Sequence, residues 1–198
     1  MLKKILILVL VVALLSTSLL GCSNSSDEKN KGASDSGSDV IKIGVFEPMT
    51  GTSAAGGEMT VEGIKLANEM KGEVLGKKVK LVVVDNKSDK VEAANAASRL
   101  IEKDKVAAII GSYDSSLSMA AGDIVKNAKV PAVGCSPTNP LVTLNNDYYF
   151  RVCFIDPFQG TVMANYAFKE LGAKKAAIIQ DVTRDYSVGL SKYFVDAF

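Results

Sequence analysis

The chain is predicted to fold as an α/β protein built on a parallel sheet, and three observations predict it. Short, predominantly apolar runs recur along the sequence: VIKIGVF at Val40–Phe46, VKLVVVD at Val79–Asp85 and VAAIIG at Val106–Gly111. Segments of helical periodicity separate them. The runs are continuous rather than alternating, as expected of strands covered by helices on the sheet faces.

Taken in order, Val40–Phe46 reads as the first strand. Thr60–Met70 is predicted helical, with Ile64, Ala67 and Met70 on one face and Thr60 as its cap, and Gly72 and Gly76 punctuate the return. Val79–Asp85 is a β-branched run suited to burial on both faces. A helix from Asp89 to Lys103 places Val91, Ala94, Ala97 and Ile101 on one side, with Asp89 and Glu92 at capping-box spacing. Val106–Gly111 is the third strand, Ser115–Asn127 the third helix and Val130–Val133 a short fourth strand. After a long loop, Tyr149–Phe154 is extended and Phe158–Leu171 helical. Lys175–Gln180 reads as another buried strand, and a last helix runs from about Tyr186 to Phe198.

Ahead of this alternation, Met1–Lys4 carries two lysines, Ile5–Leu15 is unbroken and apolar, and Ser16–Leu20 leads to Gly21-Cys22. A charged start, an apolar stretch and a small-residue cleavage site make a secretory signal, too short to span a bilayer. Leu19–Cys22, L-L-G-C, resembles the lipobox of bacterial lipoproteins, although Leu20 is bulkier than most residues at that position. The resemblance implies that residues 1–21 are removed and that Cys22 is acylated, tethering the protein to the extracytoplasmic face of the cell membrane. Ser23–Asp39 is Ser, Asn, Asp, Lys and Gly with almost nothing apolar, so residues 22–39 are expected to be a flexible tether.

Lys and Arg number 23 against 22 Asp and Glu, a balance that gives no electrostatic footprint for nucleic acid. With Cys22 assigned to lipid, Cys135 and Cys153 remain, paired or reduced. The chain has no His, which removes the commonest general base and metal ligand. Gly51 and Gly56 invite a phosphate-loop reading, but Glu58 follows Gly57 where a lysine would have to neutralise phosphate. DNKSD at Asp85–Asp89 starts like a calcium loop and lacks its glycine and closing glutamate. No metal, cofactor or catalytic residue is expected.

In open α/β sheets, ligands bind beyond the carboxyl ends of the strands, so Glu47–Gly57, Ser112–Ser116, Gly134–Pro140 and Asp181–Tyr186 are the loops of interest. Gly111–Ser116, GSYDSS, opens a helix with two hydroxyls, and N–H groups at a helix start suit a carboxylate. Gly134–Pro140, GCSPTNP, presents Ser136 and Thr138 between stiffening prolines, with oxygens able to accept from an ammonium group. Together the two loops suit a zwitterion.

VIKIGVFEPMTG, IIGSYDSSLSMA (Ile109–Ala120), VPAVGCSPTNPLVT (Val130–Thr143), YFRVCFIDPFQG (Tyr149–Gly160) and DVTRDYSVGLS (Asp181–Ser191) resemble, in order, the extracytoplasmic solute-binding proteins of branched-chain amino-acid ABC transporters. The resemblance implies a three-layer, parallel-sheet lobe of a type I periplasmic binding protein over residues 40–150. A second lobe would begin at 151–198, the chain crossing near Phe150–Asp156, and the sequence given would be the amino-terminal part of a longer chain. It further implies that Ser115 binds a ligand α-carboxylate, that Ser136 and Thr138 hold the carboxylate and ammonium, and that Tyr186 reaches across from the second lobe. The partners would be a small amino acid, ABC permease subunits with their cytoplasmic ATPases, and the membrane through the acyl anchor on Cys22. Two departures stand out: the aromatic that leucine/isoleucine/valine binders carry near Gly56 is missing, and Asp114 sits beside Ser115, either as a helix cap pointing away or as a change of specificity. The alternative functions are the ligand-sensing domain of a receptor, a secreted α/β hydrolase using Ser115, or a lipid-anchored surface protein.

Overall fold

The computed structural model describes residues 40–198, so the expected signal, Cys22 and the expected tether lie outside the described residues. Strand β1 (Val40–Glu47) leads through helix α1 (Ala54–Met70) to a hairpin of β2 (Glu73–Val74) and β3 (Lys77–Asp85). There follow α2 (Lys90–Glu102), β4 (Ala108–Ile110), α3 (Ser115–Ala128), β5 (Ala132–Gly134) and β6 (Tyr149–Arg151). Two further helices close the described chain: α4 (Asp156–Asn165), which runs into a π-helical turn at Tyr166–Glu170, and α5 (Asp185–Ala197).

The sheet order is β2-β3-β1-β4-β5-β6. Every pairing is parallel except the β2–β3 hairpin that turns at Gly76. The chain winds away from β1 in both directions, to β3 on one side and β4 on the other. The loops after β1 and β4 therefore diverge and leave a crevice at the carboxyl edge. Helices α2 and α3 cover one face and form the core with the sheet: Phe46, Ala97, Leu100, Ile109, Ala121, Val125 and Ala132 are all fully buried. Burial of this apolar face, at about 25 cal/mol per Å², is what fixes the register of the α2–α3 layer.

Five sequence expectations change. Helix α1 starts at Ala54, before Thr60, whose hydroxyl instead donates back to the Gly56 carbonyl at 2.9 Å within the helix. Two glycines made the first turn look like a loop, but both are needed for close approach. A Cβ at Gly56 would fall inside the Tyr113 ring, and one at Gly57 would collide with the Pro48 carbonyl. Met70 is exposed, and Ile64 and Ala67 face an apolar trough over Ile43, Leu81 and Ile110 rather than a packed core. Strand β3 is accordingly half-buried, not buried on both faces. Helix α2 is capped as expected, Asp89 accepting from Val91 N and Glu92 N, but its core face is Ala93, Ala96, Ala97 and Leu100, and Val91 is exposed. Lys175–Gln180 forms no strand: among the described residues no neighbour pairs with its backbone, and Ile179 is fully exposed.

Candidate functional site

Each βα loop at the carboxyl edge delivers one part of a single cleft. Asp114, Ser115, Ser136, Thr138 and Tyr186 line it together, with Tyr113, Phe154 and Gln159 completing a space of about 200 Å³. The β4–α3 loop brings Tyr113, Asp114 and Ser115, and the loop after β5 brings Ser136 and Thr138. The passage from β6 into α4 brings Phe154 and Gln159, and α5 brings Tyr186.

Ser115 opens α3 and is buried. Its Oγ accepts from Asn139 N at 3.2 Å, which ties the two loops together and leaves the hydroxyl proton able to donate. Most other donors of the loop are engaged by the protein itself. Ser116 N donates to Asp114 Oδ1 at 2.8 Å, Tyr113 N to Glu47 Oε2 at 2.6 Å and Ser112 N to Ser118 Oγ at 3.1 Å. The carboxylate cradle of free N–H groups expected at this helix start is thus narrower than the sequence implied. Asp114 is the N-cap of α3, and its second oxygen accepts from Arg184 Nη1 at 2.6 Å, so its charge is compensated.

Thr138 is buried, and its hydroxyl makes no close hydrogen bond, although it is near enough to Asp156 to counter part of the upward push that desolvation gives that carboxyl. A polar ligand group reaching Thr138 would therefore meet a hydroxyl that the protein engages only weakly. The loop that carries it is rigid for a reason the sequence did not advertise. Arg151, at the end of β6, donates to the carbonyls of Pro137 (2.9 Å), Asn139 (2.8 Å) and Pro140 (3.2 Å) and to Thr143 Oγ1 (2.8 Å). One guanidinium fork thus holds three carbonyls of the 134–140 loop. Asp156 N adds a bond to the Thr138 carbonyl at 2.9 Å.

The aromatic side of the cleft comes from Tyr113, Phe154 and Tyr186. Tyr113 lies over Gly56, in the space where a side chain at 56 would stand. The aromatic missing from the first loop is therefore matched by one from the β4–α3 loop. Gln159 Nε2 donates to the Tyr186 hydroxyl at 3.4 Å and joins α4 to α5 at the rim. Beneath the cleft, Glu47 is fully buried, and desolvation pushes its carboxyl up to about 8. Cys135 and Cys153 are free thiols, and burial raises Cys135 to about 11. Tyr113, Phe154, Gln159, Arg151 and Arg184 escaped the sequence reading. All five stand within the motif stretches, but nothing in residue type or spacing separates them from their neighbours.

A family model described as periplasmic binding protein matches residues 40–197. An amino acid binding protein of Pseudomonas aeruginosa is 37% identical over 147 residues, covering 72% of this chain and 39% of that protein. A leucine binding protein of Thermotoga maritima superimposes with a TM-score of 0.79 at 52% identity, over 80% of this chain and 45% of that one. A branched-chain amino acid transporter substrate binding protein of Streptococcus pneumoniae, in complex with isoleucine, superimposes with a TM-score of 0.76 at 34% identity, over 80% of this chain and 47% of that one. The chain spans less than half the length of these relatives.

Proposed function

The chain belongs to the periplasmic binding protein family, and from that premise we propose that it is the substrate-binding component of an ABC importer, capturing an amino acid of branched-chain or related type. The observation that carries this reading is the convergence of Ser115, Ser136, Thr138 and Tyr186, from three separate segments, on one cleft of about 200 Å³. Its polar groups suit an amino acid's head. The Ser115 hydroxyl donates to the carboxylate, and the Thr138 and Ser136 oxygens meet the carboxylate and ammonium. The rings of Tyr113, Phe154 and Tyr186 cover an aliphatic side chain.

On this reading, residues 40–150 belong to one lobe and 151–198 to a second, which closes over the ligand and then docks on a permease. Differential affinity for the closed form drives closure. On this reading the protein performs no chemistry on its ligand, and the Asp114 beside Ser115 is engaged by Ser116 N and Arg184. Acylation of Cys22 anchors it outside the cytoplasm.

Isothermal titration of the full chain with L-leucine, L-isoleucine and L-valine tests the reading. Binding that weakens at least tenfold in Ser115→Ala supports it; no heat with any of the three overturns it. The anchor has its own test, since Cys22→Ala must abolish incorporation of labelled palmitate in cells.

A further inference from the structure

We propose that Asp114 and Arg184 form a latch made of protein atoms alone, which biases α5 toward the sheet body before ligand arrives without locking it there. Asp114 then acts as a positioning residue for closure. The inference rests on the two-lobe reading above and adds to it.

Arg184 immediately precedes α5, and its guanidinium reaches three groups on the sheet body. Nη1 donates to Asp114 Oδ2 at 2.6 Å and Ser53 Oγ at 2.7 Å, and Nη2 donates to Thr52 Oγ1. Its Nε lies 3.4 Å from Asp181 on its own turn, which braces the side chain toward its targets. The next residue repeats the pattern. Asp185 pairs with Lys90 at 2.9 Å, its N–H donates to Ser116 Oγ at 3.0 Å, and its carbonyl accepts from Asn139 Nδ2 at 2.9 Å. Two consecutive residues thus engage the loop after β1, the start of α2, the β4–α3 loop with its helix start, and the loop after β5.

Asp114 divides its work, one oxygen capping α3 and the other holding Arg184. Around the pair lies a second, polar cavity of about 290 Å³, lined by Ser53, Lys90, Asp114, Thr183 and Arg184 and sharing Asp114 with the ligand cleft. Solvent and salt therefore reach the latch, and its strength is sensitive to screening. By favouring the closed arrangement before ligand arrives, it raises the fraction of binding-competent protein and so the apparent affinity.

The test is small-angle X-ray scattering of the ligand-free full chain, together with L-leucine titration, for Asp114→Asn and Arg184→Gln. Asparagine keeps the acceptor that caps α3 and loses the charge, so a folding defect is separated from loss of the latch. Each variant is expected to enlarge the ligand-free radius of gyration and to weaken L-leucine about tenfold, the range of a partly exposed charge-assisted bond. The double variant is expected to be no worse than either single one. Raising NaCl to about 0.5 M, well beyond the screening that leaves surface pairs intact, should expand the wild type and leave the variants unchanged. Wild-type dimensions in both variants, or affinity losses that add, overturn the latch. Expanded variants alongside a wild type that ignores L-leucine would uphold the latch and overturn the ligand reading instead.

Discussion

Replacing Glu47 by glutamine should abolish a pH dependence of stability that the buried carboxyl builds into the fold. Glu47 ends β1 beneath the cleft with no exposed surface. One oxygen accepts from Tyr113 N and Ser112 Oγ, and the other has no partner. Desolvation moves its pKa from 4.5 to about 8, so the folded state holds the proton more tightly than the unfolded chain. Its stabilising contribution is complete below pH 4.5 and is lost as pH rises through about 8. At about 1.4 kcal/mol per unit, the full span is on the order of 5 kcal/mol, and about 3 kcal/mol of it is already gone at pH 7. Glutamine holds the neutral form at every pH and keeps an acceptor for Tyr113 N. Urea denaturation of both proteins, followed by far-UV circular dichroism from about pH 4 to 9, should show a gap in favour of the variant that opens with pH. Asp85 and Asp185, whose pKa values lie below the usual carboxylate range, lose stability as pH falls and do so in both proteins alike. A gap independent of pH would refute the argument that burial keeps this carboxyl protonated.

Three further outcomes are expected. Thr138→Val removes a hydroxyl that makes no close hydrogen bond, so the ligand-free protein should lose no more than about 1 kcal/mol in urea while L-leucine affinity drops about tenfold by calorimetry. Arg151→Lys replaces a fork that holds three carbonyls with a single point donor; thermal unfolding should register a loss of about 2–4 kcal/mol. Gly56→Ala and Gly57→Ala should part company. The first displaces the Tyr113 ring and alters ligand affinity more than melting temperature, whereas the second meets the Pro48 carbonyl and destabilises the fold by about 3 kcal/mol or more.

What the sequence made legible follows from where its signals are local. The Asp89 cap and the starts of the first strand runs are determined within a few residues and stand where expected, and the hydroxyls of the two ligand loops line one cleft. The core face of α2 departs from the periodicity because Val91, the bulkier residue, outweighs Ala93 and Ala96 in it, whereas packing against α3 selects the small side chains. The start of α1 was hidden by Gly56 and Gly57, residues of low helix propensity that Tyr113 and Pro48 require. Arg151 and Arg184 act on loops distant in sequence, the latter reaching back 70 residues to Asp114, and no local pattern marks such a reach. Lys175–Gln180 has the composition of a buried strand, but a strand is a property of a pair.

The Arg151 fork also bears on timing. It fixes the 134–140 loop, with Ser136 and Thr138, to the end of β6, while Phe154 follows in the passage into α4 and Gln159 and Tyr186 are carried by α4 and α5. On the proposed reading, a solute arrives at an anvil already in position and is then struck by a hammer that moves. Arrival would be governed by the fixed hydroxyls and residence by the mobile rings. Stopped-flow traces for Phe154→Ala and Tyr186→Ala should then show entry at the wild-type rate and escape that is markedly faster.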